Sequence, residues 1–223
     1  MTSRSRLAET AAWFDALYGH CRESDGSIVI VQASRNRLAG VYPIGDGGRL
    51  VEAARAAQLH PGCYVKINLM DAAAMQRRAK GGRPVVGRRD EVKSIVSVHL
   101  DVDAGKNGKY VSRNHALWAI EAMPLAPSLI VNSKGMSGGF HAYWLLQRPH
   151  WIESAADRQR CQTIANGWNK RLKALCMDKL DSTSNLDRVL RCVGVPRADG
   201  VLVTAYEYWP ERLYELEDFC SLT

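Results

Sequence analysis

Hydrophobic positions along this chain switch between helical and strand periods. Leu7, Ala11, Phe14, Leu17, Tyr18 and Cys21 recur at helical spacing and predict an amphipathic helix over 7–21. Ser27 to Ser34 is a compact β-branched run and predicts a strand, ended by an Arg35-Asn36-Arg37 turn. Arg49 to Gln58 predicts a helix and Gly62 to Leu69 a second strand. Residues 70–89 read as loop, with one short helix at 72–78. The second half opens with a buried strand, Ile95 to Val102. Ser112 then caps a helix over 113–123. Two strands follow, Pro127 to Ser133 and Phe140 to Leu146, joined by the glycine loop Lys134-Gly-Met-Ser-Gly-Gly139. A long helix over 153–176, a short element over 186–193 and a strand over 201–208 come next. A helix over 210–219, with Pro210 in its first turn, closes the pattern.

From Ile95 onward the order is β-α-β-β-α-β, the split-βαβ or RRM-like arrangement. Strands and helices alternate too irregularly for a doubly wound parallel fold. The expected class is therefore α+β, with a mixed, largely antiparallel sheet. Residues 1–223 read as one domain, with a smaller N-terminal α/β unit over 1–93 packed against the RRM-like unit over 94–223.

Composition narrows the class of protein. Hydrophobic content of 46% and charged content of 24% are those of an ordinary globular chain. No run approaches 18 apolar residues, and no apolar signal core follows the N-terminal charges, so the reading is cytoplasmic and without a membrane partner. Six scattered cysteines lack any C-x-x-C or paired Cys/His spacing, which argues against a disulfide framework or a structural zinc site. The net charge of +7 is uneven. Arg77, Arg78, Lys80, Arg83, Arg88, Arg89 and Lys93 crowd a Gly-containing stretch against only Asp90 and Glu91. Such a stretch suits a polyanion, and equally suits a solvated tether.

Three blocks carry candidate chemistry. The Ile95–Val102 strand runs into Asp101-Val-Asp103, two carboxylates spaced to share one face with Cα atoms roughly 6.5 Å apart. Paired carboxylates on a rigid element repel unless a cation lies between them, and hard divalent ions prefer such oxygens. The bland alternative is an Asp-ended turn at Ala104-Gly-Lys-Asn-Gly108. The second block is Ser133-Lys-Gly-Met-Ser-Gly-Gly-Phe-His141-Ala-Tyr-Trp144, where glycines let amides approach an anion and Ser133, Ser137 and Lys134 add donors. The third, Asp181-Ser-Thr-Ser-Asn-Leu-Asp187-Arg188-Val-Leu-Arg191, offers a carboxylate and two arginines suited to phosphate.

In this order the three blocks resemble the archaeo-eukaryotic primase superfamily, in particular its RepB-type branch from plasmids, phages and other mobile elements. The counterparts are Leu100-Asp-Val-Asp103, Ser137-Gly-Gly-Phe-His141-Ala-Tyr-Trp144 and Leu186-Asp-Arg-Val-Leu-Arg191, and the likeness spans about residues 25–210. Two departures stand out. Cys192-Val-Gly-Val195 replaces the family's Pro-Gly-Thr, and Lys134-Gly-Met136 is extra in the glycine loop. The resemblance implies synthesis of short primers on a single-stranded DNA template from nucleoside triphosphates. It implies two Mg2+ or Mn2+ ions held by Asp101, Asp103 and a third acid, Asp181 in preference to Asp187. It assigns the triphosphate to Ser133, Lys134, Ser137, Gly138, Gly139, His141, Arg188 and Arg191, with His141 a phosphate ligand rather than a general base. Arg83, Arg88 and Arg89 would track the template. The chain has no G-x-x-x-x-G-K-[ST], so unwinding would come from a separate helicase or replication initiator.

Two rival classes fit parts of the pattern. A non-catalytic RRM-like binder of single strands would use the same core and charge, but the 95–103 strand lacks the strand aromatics such a surface needs. A glycosyltransferase also holds metal with D-x-D, yet the chain is short for one and lacks its nucleotide-binding α/β half.

Overall fold

The computed structural model describes residues 3–32, 37–45, 47–79, 85–105, 108–136 and 138–222. Helix α1 (Ser3–Tyr18) leads into strands β1 (Ser27–Gln32) and β2 (Arg37–Pro43), then α2 (Gly47–Gln58), β3 (Cys63–Met70) and the short α3 (Ala72–Arg78). Strand β4 (Val92–Val102) is followed by α4 (Arg113–Glu121), β5 (Leu129–Met136), β6 (Phe140–Trp151) and α5 (Ala155–Leu175). Short strands β7 (Val189–Arg191), β8 (Thr204–Tyr208) and β9 (Leu213–Tyr214) finish the chain before a 3₁₀ turn over Leu216–Leu222. The caps explain several boundaries: Ser112 Oγ accepts the His115 amide and Ser154 Oγ the Asp157 amide, each satisfying an otherwise orphaned N–H.

Among the described residues all nine strands join one sheet of order β2-β1-β3-β4-β6-β5-β8, with β7 antiparallel to β3 and β9 parallel to β6. The other pairings are antiparallel, as expected for the mixed α+β class. Residues before 93 extend this same sheet, through Leu69 opposite Ser94 and Met70 opposite Val92. The β-α-β-β-α-β run is β4-α4-β5-β6-α5-β8, and β4 lies beside β6 as that order requires. Its closing strand departs from the pattern. β8 sits at the far edge beside β5, and the flank of β4 is taken by β3.

Two apolar layers sandwich the sheet. Phe14, Leu17, Ala53 and Ala57 of α1 and α2 pack on Ile30, Ile67 and Leu145. Ala116, Ile120, Trp168 and Leu172 of α4 and α5 pack on Leu100, Ile130 and Trp144 on the opposite face. Trp168 meets Trp144 and Phe219 edge-on at 5.4 and 5.1 Å. Two expectations change here. The expected turn at 35–37 gives way at Arg37 to an edge strand, β2, and the expected terminal helix over 210–219 is β9 plus the 3₁₀ turn.

The decisive irregularity is a register shift in the β4–β6 ladder between Ile95 and Ser97. Val96 belongs to the α1/α2 layer, whereas Val98, two residues on, belongs to the α4/α5 layer. A bulge of this kind re-aims every later side chain. Beyond it Val98, Leu100 and Val102 are core, and Ser97, His99 and Asp101 point the other way.

Candidate active site

Asp101 and Asp103 stand at the end of β4, next to the loop that starts β6. Asp101 lies directly across from His141 in the ladder, and its Oδ1 is 3.7 Å from His141 Nε2. Its other oxygen, Oδ2, accepts from Arg188 Nη2 at 2.9 Å. Asp103 accepts from Lys134 Nζ. Each carboxylate thus holds a cation from a different motif. Thr183 ties the third segment to the strand end: its hydroxyl lies 3.4 Å from the Asp101 amide and 3.3 Å from the Asp101 carbonyl.

Asp181 approaches from that segment but is half exposed. Its Oδ2 accepts from the Tyr110 hydroxyl at 2.6 Å, and that hydroxyl accepts from Lys109 Nζ at 2.6 Å. The hydrogen bond to Asp181, then burial and the charge of Asp103, raise the Tyr110 pKa, so both acids bear on one phenol. Asp187, the weaker candidate, is held by the buried Lys66, whose Nζ donates to its carbonyl at 2.7 Å and its carboxylate at 3.0 Å.

The glycine loop has a structural reason at Gly139. A Cβ there would lie 2.0 Å from the Val102 carbonyl oxygen and 2.8 Å from the Asp103 Cα. Only glycine lets the loop rest against the strand end that carries the acids. Arg113, at the first turn of α4, organises the rest. Its guanidinium donates to the carbonyls of Gly138 at 2.7 Å and Gly135 at 3.3 Å, bonds the Asn132 side chain, and lies 4.0 Å over Phe140. Ser137 lies outside the described residues.

Arg188 reaches the acids; Arg191 stays 5.1 Å over the Tyr64 ring, its partner across the β3–β7 ladder. Gly194, just past β7, has φ +76°, and a Cβ there would strike Thr10 Oγ1 at 2.5 Å and the Arg6 carbonyl at 2.6 Å. This glycine therefore seats α1 against the third motif. Of the basic stretch, Arg78 is committed to a bidentate pair with Glu91 at 2.6 and 2.7 Å. Arg88 and Arg89 are exposed, and Arg88 borders a depression shared with Lys66 and Asp187. Arg83 lies outside the described residues.

Several buried polar atoms here have no protein partner, among them Ser133 Oγ, His141 Nδ1 and Arg188 Nε. Buried polar groups are rarely left so unless a ligand or water meets them. With the oxygen donors of Asp101 and Asp103, they fit a hard cation and an anionic ligand. Asp101, Asp103 and Asp181 do not bring three ligand atoms within 4.8 Å; among the described residues His150, Asp157 and Cys161 do. That cluster lies nine residues along β6 from His141, about 30 Å away. There Asp157 serves the α5 start, accepting His150 Nε2 at 3.1 Å and the Glu153 amide at 3.3 Å. Burial pushes the Cys161 thiol up to about 12.

Electrostatics keep Asp101 charged and His141 neutral. Burial pushes Asp101 up, but Arg188, Arg191 and, once it is protonated in acid, His141 outweigh it and its pKa falls. Burial, then Arg191 and Arg188, lower His141 to about 4 against the pull of Asp101. His99, one ladder position back, is lowered by burial to about 4 as well. Its Nδ1 lies 3.2 Å from the Ser97 hydroxyl and 3.3 Å from the Ser97 carbonyl. Both histidines bind a proton more readily unfolded than folded. Their contribution to stability is complete above about pH 6.5 and is lost as pH falls toward 4. The unfolding free energy from denaturant titrations should fall from pH 7 to pH 4.5, by up to about 1.4 kcal/mol per pH unit and histidine, and the midpoints with it. Equal midpoints at the two pH values would contradict neutral burial.

Neither a protein-family model nor a curated protein sequence matches the chain. Solved structures do. The AEP domain of the cyanophage S-2L primase-polymerase superposes with a TM-score of 0.59 at 14% identity, over 96% of both chains. The catalytic domain of primase RepB′, solved with initiator DNA, gives 0.52 at 10% identity, over 95% of this chain and 91% of that one. A structure of primase RepB′ gives 0.51 at 12% identity, over 96% of this chain and 60% of that one. The chain has the fold of archaeo-eukaryotic primase domains. The resemblance read from three short motifs thus holds at the level of the whole fold. Among the described residues no helix is long and apolar enough to cross a membrane.

Proposed function

We propose that the chain is a primase, or primase-polymerase, that joins nucleotides on a single-stranded DNA template during replication of a plasmid, phage or other mobile element. The observation that carries this reading is a convergence. Asp101 meets His141 of the second motif and Arg188 of the third at one point, although the three are far apart in sequence.

Asp101 and Asp103, with Asp181 as the third acid, would hold Mg2+ or Mn2+. Bound there, such ions would supply Lewis-acid chemistry to the attacking 3′-oxygen and to the leaving pyrophosphate. The chain's own groups do the rest. Lys134 and Arg188 would supply positive charge, and the Ser133–His141 loop, with Ser137, Gly138 and Gly139, would supply donors to the triphosphate; Arg191, held over the Tyr64 ring, is left for the template side. His141, whose pKa burial lowers to about 4, would offer a neutral N–H to the phosphates. Arg88 and Arg89, both exposed, would track the template backbone together with Arg83. A separate helicase or initiator would open the duplex.

Metal-dependent incorporation of labelled nucleotides on single-stranded DNA tests the reading. Binding of single strands without incorporation would favour the non-catalytic alternative. The template assignment has its own measurement. Each phosphate contact on a single strand adds about −0.7 to the log–log salt slope of affinity. Alanine at Arg83, Arg88 and Arg89 together should flatten that slope by about two, with nucleotide affinity nearly unchanged. An unchanged slope would return the stretch to a solvated tether.

A further inference from the structure

A cavity lies away from the acids, at the end of the sheet where β1 stops, β3 begins and β7 ends. It encloses about 750 Å³ and is lined by Gln32, His60, Tyr64, Arg191, Arg197 and Asp199 among others. We infer that this groove binds a single strand of DNA, one base stacking on the Tyr64–Arg191 pair. The inference rests on the primase reading and specifies where the strand runs.

The walls are built rather than incidental. The Gly62 amide donates to the Pro196 carbonyl at 2.8 Å, which fastens the α2–β3 turn to the turn at 196–199. Gly62 has φ +71°, and a Cβ there would press on the Ala198 amide at 3.3 Å, so the two turns sit as close as backbone allows. On one side His60 Nδ1 and Gln32 Nε2 are 2.9 Å apart, presenting polar edges at a fixed spacing. The floor holds the half-buried Tyr64 with the Arg191 guanidinium 5.1 Å above its ring. Flat aromatic and guanidinium surfaces are what unpaired bases stack on, without regard to sequence.

Charge fits the same occupant. Arg191 and Arg197 line the groove, and Arg37 is exposed opposite Gln32 in the β1–β2 ladder. Asp199, the one acid among the described lining residues, is paired with Arg197 at 2.8 Å, which leaves Arg191 and the nearby Arg37 as the unbalanced charge. The groove is thus cationic and polar with an aromatic floor, and it is too small for a duplex. Position fits too. Arg188 pairs with Asp101, and Arg191 follows three residues later in the same extended segment, about 10 Å on. That interval is about three stacked nucleotides at 3.4 Å each. Arg191 also acts electrostatically on Asp101 and His141, so groove and acids share one field.

The test uses the full chain with a thymidine oligonucleotide carrying one 5-iododeoxyuridine. Ultraviolet cross-linking followed by peptide mapping should place the adduct on a peptide lining the groove. In anisotropy titrations Tyr64→Leu should weaken oligonucleotide binding about tenfold, while Tyr64→Phe, which keeps the ring, stays within twofold. Arg197→Glu, in an exposed turn, reads the same groove if Tyr64→Leu does not fold. Wild-type affinity in Tyr64→Leu and Arg197→Glu, with adducts only elsewhere, would overturn the groove and leave the primase reading standing. Weakened binding of a free nucleoside triphosphate with oligonucleotide binding intact would overturn it too, by making the groove the nucleotide's. A wild-type chain that binds no single-stranded DNA would overturn both.

Discussion

Primer synthesis should fall below a tenth of the wild-type rate in Asp101→Asn and, separately, in Asp103→Asn. Asn keeps the shape of each side chain and an acceptor oxygen, but removes the negative charge that a hard cation requires. The fold should survive. Asp101 has a side-chain exposure of 18%, and in the variant Arg188 still finds the amide oxygen, so the loss is confined to the charged part of one hydrogen bond, about 1–3 kcal/mol. Activity on a single-stranded template and thermal melting, measured together, separate the two effects. Either variant retaining more than a tenth of the activity with intact melting would remove the acids from the chemistry.

The second large effect is expected at Gly139. No rotamer relieves a Cβ that meets backbone at 2.0 Å, so Gly139→Ala must lift the loop off the end of β4 or distort the strand itself. Overpacking of this kind costs about 1–3 kcal/mol, and more when the obstacle is main chain. Because the obstacle is the Val102–Asp103 backbone, activity should vanish even in molecules that still fold. Gly200→Ala is the comparison. Gly200 has φ +81° with nothing within 4 Å of the added atom, so its alanine variant bears only the left-handed backbone cost of about 1–2 kcal/mol. Similar melting and similar activity in the two variants would show that the close approach does not govern the site.

Much of the fold was legible because local signals and tertiary context agreed. The β4 run, the Ser112 cap and α3 at 72–78 carry strong local patterns, and each forms where those patterns put it. Strand β2 was missed because Arg37-Leu-Ala-Gly-Val-Tyr-Pro43 holds an interior Gly and a terminal Pro. Those residues are poor in a central strand and tolerated at a half-exposed edge, where β2 lies. At the C-terminus Leu213, Leu216 and Phe219 recur every three residues, a spacing that suits a 3₁₀ turn better than an α-helix.

The acids, the glycine loop and its histidine could be read directly, since their chemistry is dense and contiguous. What holds them could not. Arg113 gave one overlooked hint: a cation at the first position of a helix opposes the dipole, which points to a task elsewhere. Lys66 and Asn68 gave another, as two polar residues on one face of an otherwise apolar strand. They bind Asp187 and the Leu186 carbonyl and so anchor the third motif. Tyr110 and Lys109 had no signal, because their partner Asp181 is 71 residues away from Tyr110. The β4 bulge was equally hidden; pairing register is a property of two strands, and neither sequence alone records it.

The Thr10–Val193 hydrogen bond spans 183 residues, Lys66–Asp187 spans 121 and Asp101–Arg188 spans 87. Contacts of such separation form late and slowly, since long loops must close before they are rewarded. During synthesis the acids and the glycine loop leave the ribosome well before Arg188, and β3 waits for β7 with a length of its hydrogen-bonding edge unpaired. A nascent chain stalled near residue 180 would therefore have D-x-D and no arginine opposite it. Its exposed strand edge would be the segment most in need of a chaperone.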